Sequence, residues 1–431
     1  MKSYHGVAVS LLIIPSTALC VEALRHIAVW ASEVAKTITK RVYAWLYLFM
    51  GPSLIQDGFD RAKDQPYEIL SPDTRYVFVP SKKHIRELDS APDTVLSLQA
   101  ASKQEIHSEH PIVNGKHPTL WTVQYSMANV AKNEPFMVAA LAYIEETLLC
   151  AEAVKLLPKS VAPTIGSIIA RFLKAHEKIY AVLIPVAEER CQERDLANLG
   201  QNVPKHTDCI QWIMETAPRQ KPWTPKRIVH ELMAIWFGSV HALSTTITFA
   251  VQDLCLHPEY VEPLRRELVA RYAQFERTGL GLPLLDSFTK ESARLTPVES
   301  MSMRRYATQP FALSDGTKLS VGDWACVPVK AIMQDSRSYP DPLTFNGFRF
   351  ASPNDLKSAE TDSQFNFSQP KPSIPGRYYA VAVMKVILGQ IILNYDCELV
   401  DQQRTRWHTW RSSMLPKKNT MVVFTPRDSS A

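Results

Sequence analysis

The sequence has few glycines and no paired-cysteine motif, and both absences exclude common kinds of site. Only 14 of its 431 residues are glycine, and neither GxGxxG nor GxxxxGK[ST] occurs, which argues against a nucleotide-binding loop. The seven cysteines are odd in number and show no CxxC spacing, which argues against a disulfide framework and against a zinc site. The cysteines therefore indicate buried thiols in a reducing compartment.

A strong charge of either sign is also missing. The net charge is +5 and is spread along the chain, with no basic stripe interleaved with aromatic residues. This distribution argues against a nucleic-acid partner. Hydrophobic residues make up 46% and charged residues 21%, which is ordinary for a globular protein with a large core.

The N-terminus carries the strongest hydrophobic run. Residues 6–21 contain no charge, and sixteen residues are close to the lower limit for a membrane-spanning helix. The cations that follow, Lys36, Lys40 and Arg41, fit the positive-inside bias. We predict that residues 1–50 form a membrane anchor and linker on an intracellular membrane, the endoplasmic reticulum, and that residues 51–431 form one cytosolic domain. A buried helix or a monotopic segment is the alternative.

The rest of the chain is patterned mainly for helices. Apolar residues recur at three-to-four spacing over 134–157 and over 164–190. The longest helix is predicted to begin at an N-cap, Thr224, with Pro225 at its first position, and to run to Pro258. A short strand is predicted over 75–79. One large helical domain with small sheets fits this pattern best.

Three spaced motifs in the C-terminal half carry the most specific signal. Glu291 and Arg294 are three residues apart on a predicted helix, so they share a face and can pair. Arg349 follows in a Phe-x-x-x-Arg-Phe segment, and the Pro-Gly-Arg of residues 375–377 opens an apolar helix. The first motif alone is weak evidence because such pairs are common in helices. The combination and its order are specific.

With these motifs the chain resembles the cytochrome P-450 family of haem-thiolate monooxygenases, over most of residues 40–431. The likeness is to fungal members that oxidise terpenoids and related secondary metabolites. It implies a single large helical domain in which Glu291, Arg294 and Arg349 form a structural cluster. It also implies a loop of pattern Phe-x-x-Gly-x-x-x-Cys-x-Gly, whose cysteine thiolate binds the haem iron.

The departures from the family pattern concern the haem. The ligand position holds Ile374, which has no donor atom, and the loop glycine is replaced by Pro370. A basic residue that meets a haem propionate is replaced by Pro372, and the early Trp-x-x-x-Arg helix is missing from the polar segment 98–115. We therefore expect no cofactor and no metal. Haem remains the expectation if a faulty gene model caused these departures.

The long helix supplies most of the candidate pocket residues. The family's oxygen-activating acid and alcohol positions align with His241 and Ala242. His241 is the candidate catalytic donor or base, with a purely structural histidine as the alternative. The resemblance indicates a substrate pocket with these further candidates: Gly238, Ala242, Ser244, Thr245 and Val298.

These observations favour a haem-independent enzyme of fungal secondary metabolism with a small hydrophobic substrate. A closed apolar pocket can accelerate a non-redox cyclisation or rearrangement of a terpenoid, including an intramolecular Diels–Alder reaction, by orienting a flexible chain. One alternative is an ordinary haem-dependent monooxygenase with a reductase partner, whose coding sequence contains a misplaced exon junction. Another is a non-catalytic binding or scaffold protein on the membrane.

Overall fold

The computed structural model describes residues 38–98, 100–101, 134–158, 160–217, 222–351 and 377–427. The first helix, α1, covers residues 38–62. The later helices are α2 Lys82–Ser90, α3 Glu134–Lys155, α4 Ala162–Phe172, α5 Ala175–Asn198, α6 Cys209–Thr216, α7 Pro225–Leu256, α8 Val261–Thr278, α9 Pro283–Leu295, α10 Val329–Met333 and α11 Arg377–Asn394. The mainly helical fold class with small sheets is therefore confirmed.

The strands form one mixed sheet and three pairs. Their bounds are β1 Tyr67–Leu70, β2 Arg75–Phe78, β3 Leu96–Ser97, β4 Ser302–Ala307, β5 Phe311–Ala312, β6 Lys318–Leu319, β7 Trp324–Val327, β8 Tyr395–Leu399, β9 Trp407–Trp410, β10 Ser413–Pro416 and β11 Val422–Pro426. The five-stranded sheet has the order β1-β2-β7-β4-β3, and only its β2–β7 pair is parallel. Strand β2 confirms the strand predicted over 75–79.

The long helix α7 begins where the sequence predicts. The Thr224 hydroxyl accepts a hydrogen bond from the Arg227 amide, and Pro225 occupies the first turn. A side-chain acceptor at this position satisfies one of the four amides that a helix start leaves without a partner. His257 ends the helix, one residue before Pro258.

One predicted helix is in fact two. The apolar spacing over 164–190 predicts a single helix, but α4 ends at Phe172 and α5 begins at Ala175. Leu173 adopts an extended conformation with ψ of 104°, which breaks the helical hydrogen bonding. The prediction failed because the apolar spacing continues across the two linking residues.

Helix α7 organises the packing of the domain. It contacts helices α5, α6, α9 and α11 and strands β8 and β10. Its first half packs into one apolar cluster through buried residues such as Ile228 and Leu232. Its second half packs into another through Ala250 and Leu254. A helix that is apolar towards neighbours at both ends lies inside the domain.

The first helix bears on the predicted membrane anchor. The uncharged run over 6–21 lies outside the described residues, so the anchor and its boundary at residue 50 stay predictions. Helix α1 runs without interruption through that boundary. In the described part of the chain, no helix is long and apolar enough to cross a membrane. One face of α1 is nevertheless apolar and exposed, with side chains that include Val42, Trp45 and Phe49.

Candidate functional site

The Glu291 cluster, formed by Glu291, Arg294 and Arg349, comes together in the structure. Two nitrogens of Arg294 donate to the two Glu291 oxygens, Nε at 2.8 Å and Nη2 at 2.9 Å. Arg349 Nε donates to both oxygens at 3.1 Å. Glu291 and Arg294 have no accessible surface. This forked pairing is the geometry in which guanidinium and carboxylate groups interact most strongly.

Backbone carbonyls accept further hydrogen bonds from the two arginines. Arg294 Nη1 donates to the carbonyls of Met333 at 2.8 Å and Pro342 at 2.6 Å. Arg349 Nη1 donates to Pro340 at 2.6 Å, and Arg349 Nη2 donates to Thr344 at 3.0 Å. The Glu291 cluster therefore fastens helix α9 to the irregular segment 340–349. Its geometry supports the structural role that the family resemblance implies.

The candidates on the long helix occupy its middle turns. Gly238 and His241 belong to α7, but their side-chain surroundings lie outside the described residues. Ala242 and Ser244 are exposed, whereas Thr245 is buried. The carbonyls of Ala242 and Ser244 accept hydrogen bonds from threonine hydroxyls one turn later, both at 2.8 Å. The assigned roles of these residues stay predictions.

Val298, a predicted pocket residue, lies next to a polar cluster that the sequence did not indicate. Val298 is half-buried, and its carbonyl accepts from the Met414 amide at 2.8 Å. The next residue, Glu299, forms an isolated bridge with Ser413. The segment after α9 is therefore tied directly to strand β10, which itself contacts the long helix.

The polar cluster is centred on Glu299, and we call it the Glu299 cluster; its other members are Arg304, Ser412 and Ser413. Arg304 Nη2 donates to Glu299 Oε2 at 2.6 Å, and the Ser412 hydroxyl donates to the same oxygen at 2.7 Å. The Ser413 hydroxyl donates to Oε1. Burial raises the pKa of Glu299 even though the two serine hydroxyls favour the charged carboxylate.

A second carboxylate, Glu152, lies beside this cluster. Arg411 Nε donates to Glu152 Oε2 at 2.6 Å, and Trp410 Nε1 donates to it at 2.9 Å. Lys155 donates to Oε1 at 3.0 Å. Burial opposes the charge on Glu152, but Lys155 and Arg411 outweigh burial and lower its pKa. Arg411 also donates to Asp73 at 2.8 Å.

Sequence reasoning missed both carboxylates because their partners are distant in the chain. Glu299 and Ser413 are 114 residues apart, and Glu152 and Arg411 are 259 apart. Only the burial of Arg411 and its bonds to Asp73 and Glu152 show that this arginine is a central cation. No spacing rule connects such residues before the strand pairing is known.

The haem-binding positions of the family pattern fall in two segments of this chain. The positions that matter most, Pro370, Pro372 and Ile374, lie outside the described residues, as does most of the early segment 98–115. Burial raises the thiol pKa of every cysteine in the described ranges. No cluster of metal-ligating side chains occurs among the residues that the structure describes.

Comparison with known proteins supplies the family. The sequence model of the family described as cytochrome P450 matches residues 120–424, more than two thirds of the chain. The chain is 27% identical over 317 residues to the cytochrome P450 monooxygenase olcJ of Penicillium canescens, covering 70% of this chain and 59% of that protein.

Two further relatives have names that denote a monooxygenase and an oxidase. The cytochrome P450 monooxygenase pyr3 of Aspergillus fumigatus is 32% identical over 277 residues, covering 60% of this chain and 52% of that protein. The ent-kaurene oxidase of Gibberella intermedia is 29% identical over 311 residues, covering 69% and 58%. The chain belongs to the cytochrome P450 family. It spans between half and two thirds of the length of the first relatives it matches.

This assignment corrects the expectation about the cofactor. We expected none because Ile374 cannot bind iron. The family match and the monooxygenase names of the relatives imply haem, so that expectation is wrong. The residues of the chain as written and the cofactor of the family therefore disagree at the axial ligand.

Proposed function

We propose that the protein is a haem-dependent monooxygenase that acts on a small hydrophobic, terpenoid-like molecule in fungal secondary metabolism. The family match and the names of the relatives support this proposal. The observation that carries it is the family match over residues 120–424, and the Glu291 cluster agrees with it because every side-chain nitrogen of Arg294 keeps a partner. An unselected relic would tolerate the loss of a buried charge partner, because breaking such a pair costs the fold about 3–5 kcal/mol.

Under this proposal, an error in the coding sequence explains why Ile374 stands where the family has its axial cysteine. The departures at the haem-binding positions form two contiguous blocks, one at 98–115 and one at 365–374. A displaced exon junction replaces or removes contiguous residues in this way.

We assign the proposed roles of the described residues from their surroundings. Helix α7 and the segment around Val298 border the substrate hollow, and the Glu291 cluster holds the framework behind it. A reductase is the proposed electron donor. We further propose that the protein works on an intracellular membrane, with residues 1–50 as the attachment. The non-redox cyclase expected from the sequence has no support among the named relatives.

Sequencing the transcript across codons 100–115 and 360–377 tests the proposal. We expect a cysteine at the position of Ile374 and additional coding sequence in the first interval. Protein expressed from that transcript should bind haem and give the carbon-monoxide difference band of a thiolate-ligated iron. An unchanged transcript whose purified product contains no haem would overturn the proposal.

A further inference from the structure

Two cysteines, Cys255 and Cys397, meet where the end of helix α7 packs against strand β8. Cys255 lies in the last turn of α7 and is buried, whereas Cys397 is the middle residue of β8 and is half-buried. Helix α7 contacts strand β8 directly. Neither thiol has a role in the proposed function.

The strand directs Cys397 towards the interior. Side chains alternate between the two faces of a strand, so Cys397 shares a face with the buried Leu399, and the residues on either side of Cys397 are exposed. Leu399 pairs with Val422 of β11, and Val422 packs in the apolar cluster that contains Leu254. The inward face of β8 therefore meets the turn of α7 that carries Cys255.

The helix directs Cys255 towards the same place. Residues three apart on a helix share a face, and Gln252 accepts a hydrogen bond at 3.5 Å from Arg406, in the segment that follows β8. Arg406 also donates to Asp253 at 2.9 Å. Burial raises the pKa of Cys255 most, and a negative charge on Cys397 raises it further. Because such an effect weakens with distance, the two sulfur atoms are neighbours.

We infer that Cys255 and Cys397 are a reversible modification site, at which hydrogen peroxide forms a disulfide and a thiol reductant breaks it. Peroxide reaches Cys397 first, because Cys397 is the more accessible of the two thiols. This inference does not depend on the proposed function, because it requires only the packing of α7 on β8.

The oxidation proceeds in two steps that balance. The Cys397 thiolate attacks one oxygen of hydrogen peroxide, the oxygen–oxygen bond breaks, and a sulfenic acid and hydroxide form. The Cys255 sulfur then attacks the sulfenic sulfur, and the sulfur–oxygen bond breaks as the disulfide forms. The departing oxygen leaves as water with the Cys255 proton, and the hydroxide takes up the proton that Cys397 released on ionising. Two thiols are oxidised, and one peroxide is reduced to two waters.

Peptide mapping of the oxidised full chain tests the inference. Reduced protein is freed of reductant and treated with hydrogen peroxide, its remaining thiols are blocked with N-ethylmaleimide before unfolding, and it is digested with trypsin without reductant. Cleavage after lysine and arginine places Cys255 in the peptide 228–265 and Cys397 in the peptide 386–404, each without another cysteine.

We expect mass spectrometry to find these two peptides joined at least about tenfold more often than any other cysteine pair, because a neighbouring thiol has a very high effective concentration. Dithiothreitol should separate them. Burial raises the pKa of Cys397, so the joining rate should increase from about pH 7 to about pH 9 as more thiolate forms.

Cys150→Ser is the matched control for Cys255→Ser. Cys150 is half-buried, and burial alone raises its pKa, so its replacement should leave the joined peptides unchanged. Cys255→Ser should abolish them and leave Cys397 as a sulfenic or sulfinic acid.

Two results with the unmodified protein would overturn the inference. One is the absence of the joined peptides after oxidation. The other is joined peptides confined to chains that migrate as dimers on a non-reducing gel. The mapping needs neither haem nor turnover, so its outcome is independent of the transcript and haem measurements that test the proposed function.

Discussion

The Glu291 cluster and the Glu299 cluster both pair a glutamate with an arginine, and they differ in what surrounds the pair. Glu291 and Arg294 have no accessible surface, and every side-chain nitrogen of Arg294 has a protein partner. Glu299 keeps 35% of its side chain accessible and has one unused acceptor position. A closed pair stabilises the framework, whereas an accessible pair contributes less because water screens it.

Removing an arginine from the closed cluster should have the largest effect. Arg294→Ala leaves Glu291 buried with only Arg349 as its charge partner, and we expect the free energy of unfolding to fall by about 3–5 kcal/mol. Urea unfolding followed by circular dichroism measures this loss. The matched control is Arg337→Ala, which removes an arginine that is 56% exposed and pairs with Asp64 and Asp335. Its loss should stay below about 1 kcal/mol, and equal losses would contradict the contrast.

The second-largest loss of stability is expected at Gly51, which packs against the backbone of Arg411. A Cβ on Gly51 would lie 1.8 Å from the Arg411 carbonyl oxygen, so Gly51→Ala must push α1 away from the β9–β10 hairpin. We expect a loss of about 1–3 kcal/mol in the free energy of unfolding, as for other overpacked sites.

The control for this variant is Gly166→Ala in helix α4. A Cβ there meets only a Val154 methyl group at 3.0 Å, and alanine favours the helix by up to about 1 kcal/mol. Thermal unfolding of both variants, measured by differential scanning calorimetry, should show a lower midpoint for Gly51→Ala only. An unchanged midpoint in Gly51→Ala would mean that α1 does not pack against the hairpin as described.

A smaller loss of stability is expected at the start of α7, the helix that contacts both α9 and β10. Thr224→Ala removes the N-cap acceptor of α7, and we expect a loss of about 1 kcal/mol. Thr224→Ser keeps the hydroxyl and should lose much less. Urea unfolding distinguishes the two variants, and equal losses would show that the methyl group of Thr224 matters more than its cap.

The smallest effect is a difference in pH dependence between the two carboxylates near Arg411. The pKa of Glu152 is lowered in the folded protein, so its stabilising contribution is present above its ordinary pKa of about 4.5 and is lost as the pH falls. The pKa of Glu299 is raised, so the unfolded chain releases this proton first and stability falls as the pH rises above about 4.5.

Unfolding free energies measured from pH 3 to pH 6.5 separate the two contributions. Glu152→Gln should flatten the rise in stability below about pH 4.5, and Glu299→Gln should remove a decline above it. Opposite assignments, or parallel curves for the two variants, would contradict the electrostatic contrast between these neighbours.

The sequence alone determined the local features of this protein. Thr224 and Pro225 fix the start of α7 because capping depends on residues within one turn. The three-residue spacing of Glu291 and Arg294 predicts their pairing because helix geometry places such residues on one face. The family followed from the order of these motifs, and it was correct even where the expected cofactor was not.

Only the tertiary structure determined which charged groups are fully buried and which keep accessible surface. Arg349 reaches Glu291 across 58 residues and Ser413 reaches Glu299 across 114, and periodicity carries no information at such distances. The break at Leu173 was equally hidden, because apolar spacing on both sides of it is continuous. Local hydrogen bonds depend on neighbouring residues, whereas the surroundings of a buried charge depend on every segment that packs against it.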